Sequence, residues 1–121
     1  MTDAHNAAAT KLTLLLDDNL MSTVRVQAQL ERMGYRVQTG RNIPDAEGLK
    51  HETPELIVIN LGSRGMNPVG FIGVCRERFP DARVVGFCGH LEIEIRRAAK
   101  AAGIAKILTN DQAYSELATS L

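Results

Sequence analysis

Four places in the chain hold residue types that could do chemistry. Asp17 and Asp18 follow the apolar run LTLLL, and Asn60 closes ELIVIN. Cys88 and His90 close RVVGFCGH, and Thr109, Asn110 and Asp111 follow AKIL. Adjacent carboxylates repel unless a cation relieves them. Hard cations such as Mg²⁺ take oxygen ligands and need only one or two protein carboxylates. Asp17 and Asp18 therefore read as a small divalent-ion site, or else as the N-cap of the helix beginning near Leu20, a role that aspartate fills well. Asn60 is the odd member, since an amide is neither a good base, a good nucleophile nor a strong metal ligand. A lone Cys-Gly-His lacks the further ligands of a metal centre, so His90 reads as a loop residue. Cys75 and Cys88 form neither a disulfide framework nor a zinc spacing and read as small buried residues.

Composition narrows the classes. A chain of 121 residues makes one ordinary domain with a real core. Its 45% hydrophobic and 23% charged residues match a globular protein. With a formal net charge of +0 there is no bulk electrostatic case for nucleic acid or an anionic membrane. No apolar run approaches a membrane span. Residues 1–10, MTDAHNAAAT, lack a basic start and an apolar stretch, so they read as a loose leader rather than a secretory signal. The expected setting is a reducing cytoplasm.

The elements that must position these residues alternate. LTLLL, YRVQT, ELIVIN, RVVGFC and AKIL have the length and apolar character of strands. LMSTVRVQAQLERMG carries Val26, Leu30 and Met33 at helical spacing, with Val24 and Ala28 beside them, and Gly34 stops it. PDAEGLKHET predicts a weaker helix with Pro44 in its first turn. FIGVCRERF predicts a third. LEIEIRRAAKAAG predicts a fourth with an apolar stripe of Leu91, Ile95, Ala98 and Ala102, opposite Glu92, Arg96 and Lys100. DQAYSELATSL predicts a last helix with Tyr114, Leu117, Ala118 and Leu121 on one face. Strand-helix five times over means an α/β fold: a doubly wound parallel sheet with helices on both faces. Its site lies at the C-terminal edge of the strands, where all four candidate places fall. The chain has no Gly-rich phosphate loop, nucleophile elbow or dinucleotide fingerprint, so an ordinary enzyme is not expected.

In this order and spacing the sequence resembles the receiver domain of bacterial two-component response regulators, over nearly everything from Lys11 to Leu121. LLLDDN is similar to that family's first strand and acidic pair. PELIVINLGSRGMNPVGFIGVCRERFPDARVVGFCGH resembles its central block, and AAGIAKILTN the approach to its fifth strand. The resemblance implies a flavodoxin-like (βα)5 domain over residues 11–121, with five parallel strands in the order 2-1-3-4-5. It also implies a phosphoryl-accepting aspartate at the end of strand three, and that position here is Asn60. The family's hydroxyl residue at the end of strand four matches Cys88, its aromatic switch position Ile107 and its lysine Asn110. The proline beyond the lysine matches Asp111, and the turn after strand three differs at Arg64 and Asn67-Pro68. Asp17 and Asp18 alone stand intact.

Each change removes a physical part. The neutral Asn60 amide lacks the charged oxygen that attacks phosphorus. Asn110 removes a cation that would neutralise phosphoryl oxygens. Cys88 is a weak hydrogen-bond donor, and Ile107 can only pack. The expected function is a pseudo-receiver, a signalling module that binds proteins without aspartyl phosphorylation. The alternative is residual binding of a divalent metal or small ligand near Asp17 and Asp18, at most weak for Mg²⁺, with no other cofactor. By family analogy the partner face comprises the fourth helix, fifth strand and fifth helix, with Glu92, Arg96, Lys100, Lys106 and Tyr114. That face also permits a homodimer.

Overall fold

The computed structural model describes residues 10–121; the expected leader lies outside them except for Thr10. Its strands are β1 (Leu12–Leu16), β2 (Arg36–Gly40), β3 (Leu56–Asn60), β4 (Arg83–Cys88) and β5 (Lys106–Thr109). Its helices are α1 (Leu20–Arg32), α2 (Pro68–Arg78), α3 (Ile93–Ala101), α4 (Asn110–Ser115) and α5 (Leu117–Ser120). All strands pair in parallel in the order β2-β1-β3-β4-β5, as the resemblance implied. Strand β1 is buried along its whole length, and β3 is buried up to Asn60. That is why their apolar runs are continuous rather than alternating.

Side chains leave the sheet on alternate faces. Leu14, Leu16, Ile57 and Ile59 pack with Ile72 and Cys75 of α2 and Ala99 of α3. Leu15, Val58, Val85 and Phe87 pack with Val26 and Leu30 of α1, Ala113 of α4 and Leu117 of α5. Helices thus cover both faces. Helix α1 is capped by Asn19, whose side chain accepts from the Ser22 amide, so neither aspartate is the N-cap. Gly34 and Gly103, at φ +94° and +92°, follow α1 and α3 in the left-handed region that glycine enters without penalty.

Three expectations are corrected. No helix forms between β2 and β3. The Asp45 carboxylate accepts from the Gly48 amide, and the following turns end at Lys50 and His51, both at positive φ. Leu49, 2% exposed, drops into the core from those turns. The last helix is broken at Glu116, which sits at φ −133° between α4 and α5, and Ala118 is exposed there. On α3 the buried side is Ala99 with Ile95 and Ala102, while Leu91 is 77% exposed.

One glycine is demanded by packing. A Cβ on Gly86 of β4 would lie 2.6 Å from Leu61 Cγ and 2.9 Å from Ile104 Cδ1. Leu61, the residue after Asn60, is 1% exposed, so its seat depends on the missing side chain. Gly86→Ala is expected to cost about 1–3 kcal/mol by overpacking, read as a lower denaturant midpoint with unchanged slope.

Candidate functional site

The C-terminal ends of β1 and β3 are joined by side chains. Asp17, 5% exposed, is a hydrogen-bond hub. Its Oδ1 accepts from the Asn19 amide at 3.0 Å and from Asn60 Nδ2 at 2.9 Å. Its Oδ2 accepts from the Ser22 hydroxyl in a short contact. Asn60 spends its other end as well, with Oδ1 accepting from the Gly62 amide at 3.0 Å. The amide thus bridges the end of β1 to the loop after β3, donating to one and accepting from the other. A carboxylate at position 60 could do only the second of these.

Asp18 has a different task. Its Oδ2 accepts from the Gly65 amide at 3.1 Å, tying the β3–α2 loop to the end of β1. The two aspartates line one shallow cleft of about 260 Å³ with Thr23, Thr39, Gly40 and Arg41. Asn60 lines another, of about 210 Å³, whose wall includes Ser22, Cys88, Glu92, Asn110 and Tyr114. Asp17 and Asp18 thus line one cleft and Asn60 the other, with Asn19 in the wall of both. No group of three His, Cys, Asp or Glu side chains able to hold a metal occurs among the described residues. A divalent ion on Asp17 would have to displace neutral donors already bound to both oxygens. The arrangement does not fit a tight Mg²⁺ site.

The five residues expected on a partner face divide. Lys100 and Lys106 are exposed, and Arg96 is half-buried. Glu92 and Tyr114 line the Asn60 cleft instead. Glu92 turns back at the start of α3, so that its Oε2 accepts from the Gly89 amide at 3.4 Å. It occupies room left by a glycine, since a Cβ on Gly62 would lie 3.0 Å from the same oxygen. The Tyr114 ring meets Phe87 edge-on with centroids 6.0 Å apart, and the Arg25 guanidinium lies 5.5 Å above it. Residue type alone gave no signal for either placement. Ile107 packs against the core on the α2–α3 side of the sheet. Thr109 forms a capping box with Gln112, each satisfying the other's backbone amide, a pattern readable in the sequence as T-N-D-Q.

Both cysteines are free and buried. Burial pushes the Cys75 thiol up to about 11. Burial also pushes the Cys88 thiol up, with the Glu92 carboxylate adding to the rise and the Arg96 guanidinium opposing it. The thiolate is the nucleophile, so neither residue is poised to react. Native protein at neutral pH is expected to take up iodoacetamide far more slowly than the urea-unfolded chain, as followed by intact mass.

No family model matches the sequence. The photosynthetic apparatus regulatory protein RegA of Cereibacter sphaeroides is 25% identical over 114 residues, covering 93% of this chain and 62% of that protein. The chain thus spans less than two thirds of this relative. A response regulator protein from Burkholderia pseudomallei, solved with a phosphorylated aspartic acid, calcium ion and citrate, superimposes with a TM-score of 0.75 at 26% identity. That match covers 92% of this chain and 66% of the other. The receiver domain of NtrX from Brucella abortus gives a TM-score of 0.68 at 19% identity, covering 90% of this chain and 97% of the other. The chain has the receiver fold of response regulators, a fold of signalling domains.

Proposed function

We propose that this receiver domain of two-component signalling works as a protein-interaction module without phosphorylation of its own. The observation that carries the reading is the double engagement of Asn60, which donates to Asp17 and accepts from Gly62. The strand end that would present a nucleophilic carboxylate instead holds a neutral amide used as an internal brace. Cys88 and Asn110 at the same cleft supply neither a hydroxyl nor a cation for a phosphoryl group. Output then passes through protein contacts, with the exposed outer side of α3 and β5 as the proposed docking region, in a cytoplasmic setting and without catalysis. No helix among the described residues is long and apolar enough to cross a membrane.

The test is intact mass spectrometry after incubation with acetyl phosphate and Mg²⁺. An unchanged mass is expected. A phosphoryl adduct mapping to any residue of the Asn60 cleft would overturn the reading. A second reading, weak divalent binding at Asp17 and Asp18, rests on those carboxylates sharing one cleft. It requires amide shifts at both residues on titration with millimolar Mg²⁺.

A further inference from the structure

The outer side of α3 is charged asymmetrically in a chain with as many acidic as basic residues, 14 of each. A shallow groove of about 300 Å³ runs along it, lined by Ile93, Arg96, Arg97 and Lys100. Ile93 is 60% exposed, and the preceding Leu91 is 77% exposed. Glu92, which helical spacing had set beside these cations, points into the Asn60 cleft instead. Glu94 is then the acid left to face three cations, and it pairs with Arg97 in an exposed contact of 3.6 Å. Arg96 and Lys100 form no ion pair among the described residues. Arg96 Nε is buried without a hydrogen-bond partner, although a buried donor normally has one.

We infer that the α3 groove receives an acidic segment of another protein, with an apolar side chain seated against Ile93 and carboxylates on Arg96, Arg97 and Lys100. This deepens the interaction-module reading and rests on it. Such side chains can set aliphatic stems against an apolar group while their charged heads meet carboxylates; Arg96 and Lys100 carry no ion pair among the described residues, and Arg97 has only the exposed contact with Glu94. Arginine adds a planar fork suited to a carboxylate. Two copies of this chain are a poorer occupant. A two-fold contact places the same patch on both sides, so the cations would face their own copies with one acid each to relieve them. Charge complementarity selects a partner of the opposite sign.

The test uses the full 121-residue chain and three labelled synthetic helical peptides, followed by fluorescence anisotropy and amide shift mapping. One peptide carries glutamates around a leucine stripe; the second replaces the glutamates with glutamine; the third replaces the leucines with serine. The first is expected to bind, with shifts at Ile93, Arg96 and Lys100, and to weaken at high salt. The second and third are expected to bind at least about tenfold more weakly, as is the first to the R96E/K100E double variant. Ile93→Ser is expected to weaken the first peptide several-fold without lowering Tm. Equal binding of the glutamate and glutamine peptides would overturn the inference. So would shifts confined to the exposed Leu20, Met21 and Val24 of α1, or a self-associated chain with α3 in its interface. Mass labelling is scored separately. A phosphoryl adduct would end the phosphorylation-independent reading while leaving peptide binding by the unlabelled chain intact.

Discussion

Asn60→Asp is expected to lower the stability of the domain by about 2 kcal/mol, a fall in Tm of roughly 8 °C for a domain of this size. The substitution is nearly isosteric, and the Gly62 amide keeps its acceptor. What changes is the contact with Asp17. In the native protein Asn60 Nδ2 donates to Asp17 Oδ1 at 2.9 Å. In the variant a second carboxylate faces the first across that distance, with no lysine in the cleft and Asn110 in its wall. A charge-assisted hydrogen bond becomes a repulsion. One proton shared between the two carboxylates then relieves the repulsion, so the pair binds that proton more readily than isolated carboxyls do. The sign follows: a folded-state pKa raised above the unfolded value destabilises at neutral pH, and the loss is recovered as pH falls through the raised value. Millimolar Mg²⁺ should restore part of the loss in the variant, because a cation relieves paired carboxylates, and should leave the native Tm unchanged. A variant as stable as the native domain, or an equal response of both to Mg²⁺, would contradict the brace.

Asp17→Ala should be destabilising by about 2–4 kcal/mol, with Asp18→Ala costing about 1 kcal/mol or less. Removing Asp17 withdraws the acceptor from the Asn19 amide, the Ser22 hydroxyl and the Asn60 amide together. Ser22 retains an alternative acceptor in the Asn19 carbonyl at 3.1 Å, whereas the other two donors lose their partner at a partly buried strand end. Removing Asp18, which is half-exposed, withdraws one acceptor from the Gly65 amide. A working cation site predicts the opposite pattern. There the two acids repel in the metal-free protein, and removing either one stabilises it. Thermal melts of the two variants in EDTA therefore separate a structural hub from a shared ligand pair.

The strands were legible because a doubly covered parallel sheet needs unbroken apolar segments, and LTLLL, ELIVIN and RVVGFC supply them. The β2–β3 crossover was not, because Pro44 and a helix-like composition outweighed what Asp45 and Gly48 do locally. An aspartate side chain that captures the amide three residues on offers the backbone a turn in place of a helix, and Leu49 fills the core without one. The site was legible in its residue types and illegible in its directions. Helical spacing set Glu92 with Arg96 and Lys100, but Glu92 is the cap position of α3, where the backbone has left the helix and spacing no longer sets direction. The resemblance sets Asn60 where a nucleophilic carboxylate is expected, and its polar amide at a strand end was readable. Its use as a brace depends on Asp17 lying within hydrogen-bond reach across 43 positions of sequence, which only the paired register of β1 and β3 brings about.

The most direct test of the proposed loss of phosphoryl chemistry at Asn60 is a pair of amide correlation spectra, with and without Mg²⁺ and beryllofluoride, an analogue that binds a carboxylate oxygen as a phosphoryl group would. Asn60 offers no such oxygen. The account predicts superimposable spectra, including at Asn60, Gly62, Cys88 and Arg96. New shifts that begin at the Asn60 cleft and extend along α3 would show a working phosphoryl switch and contradict it.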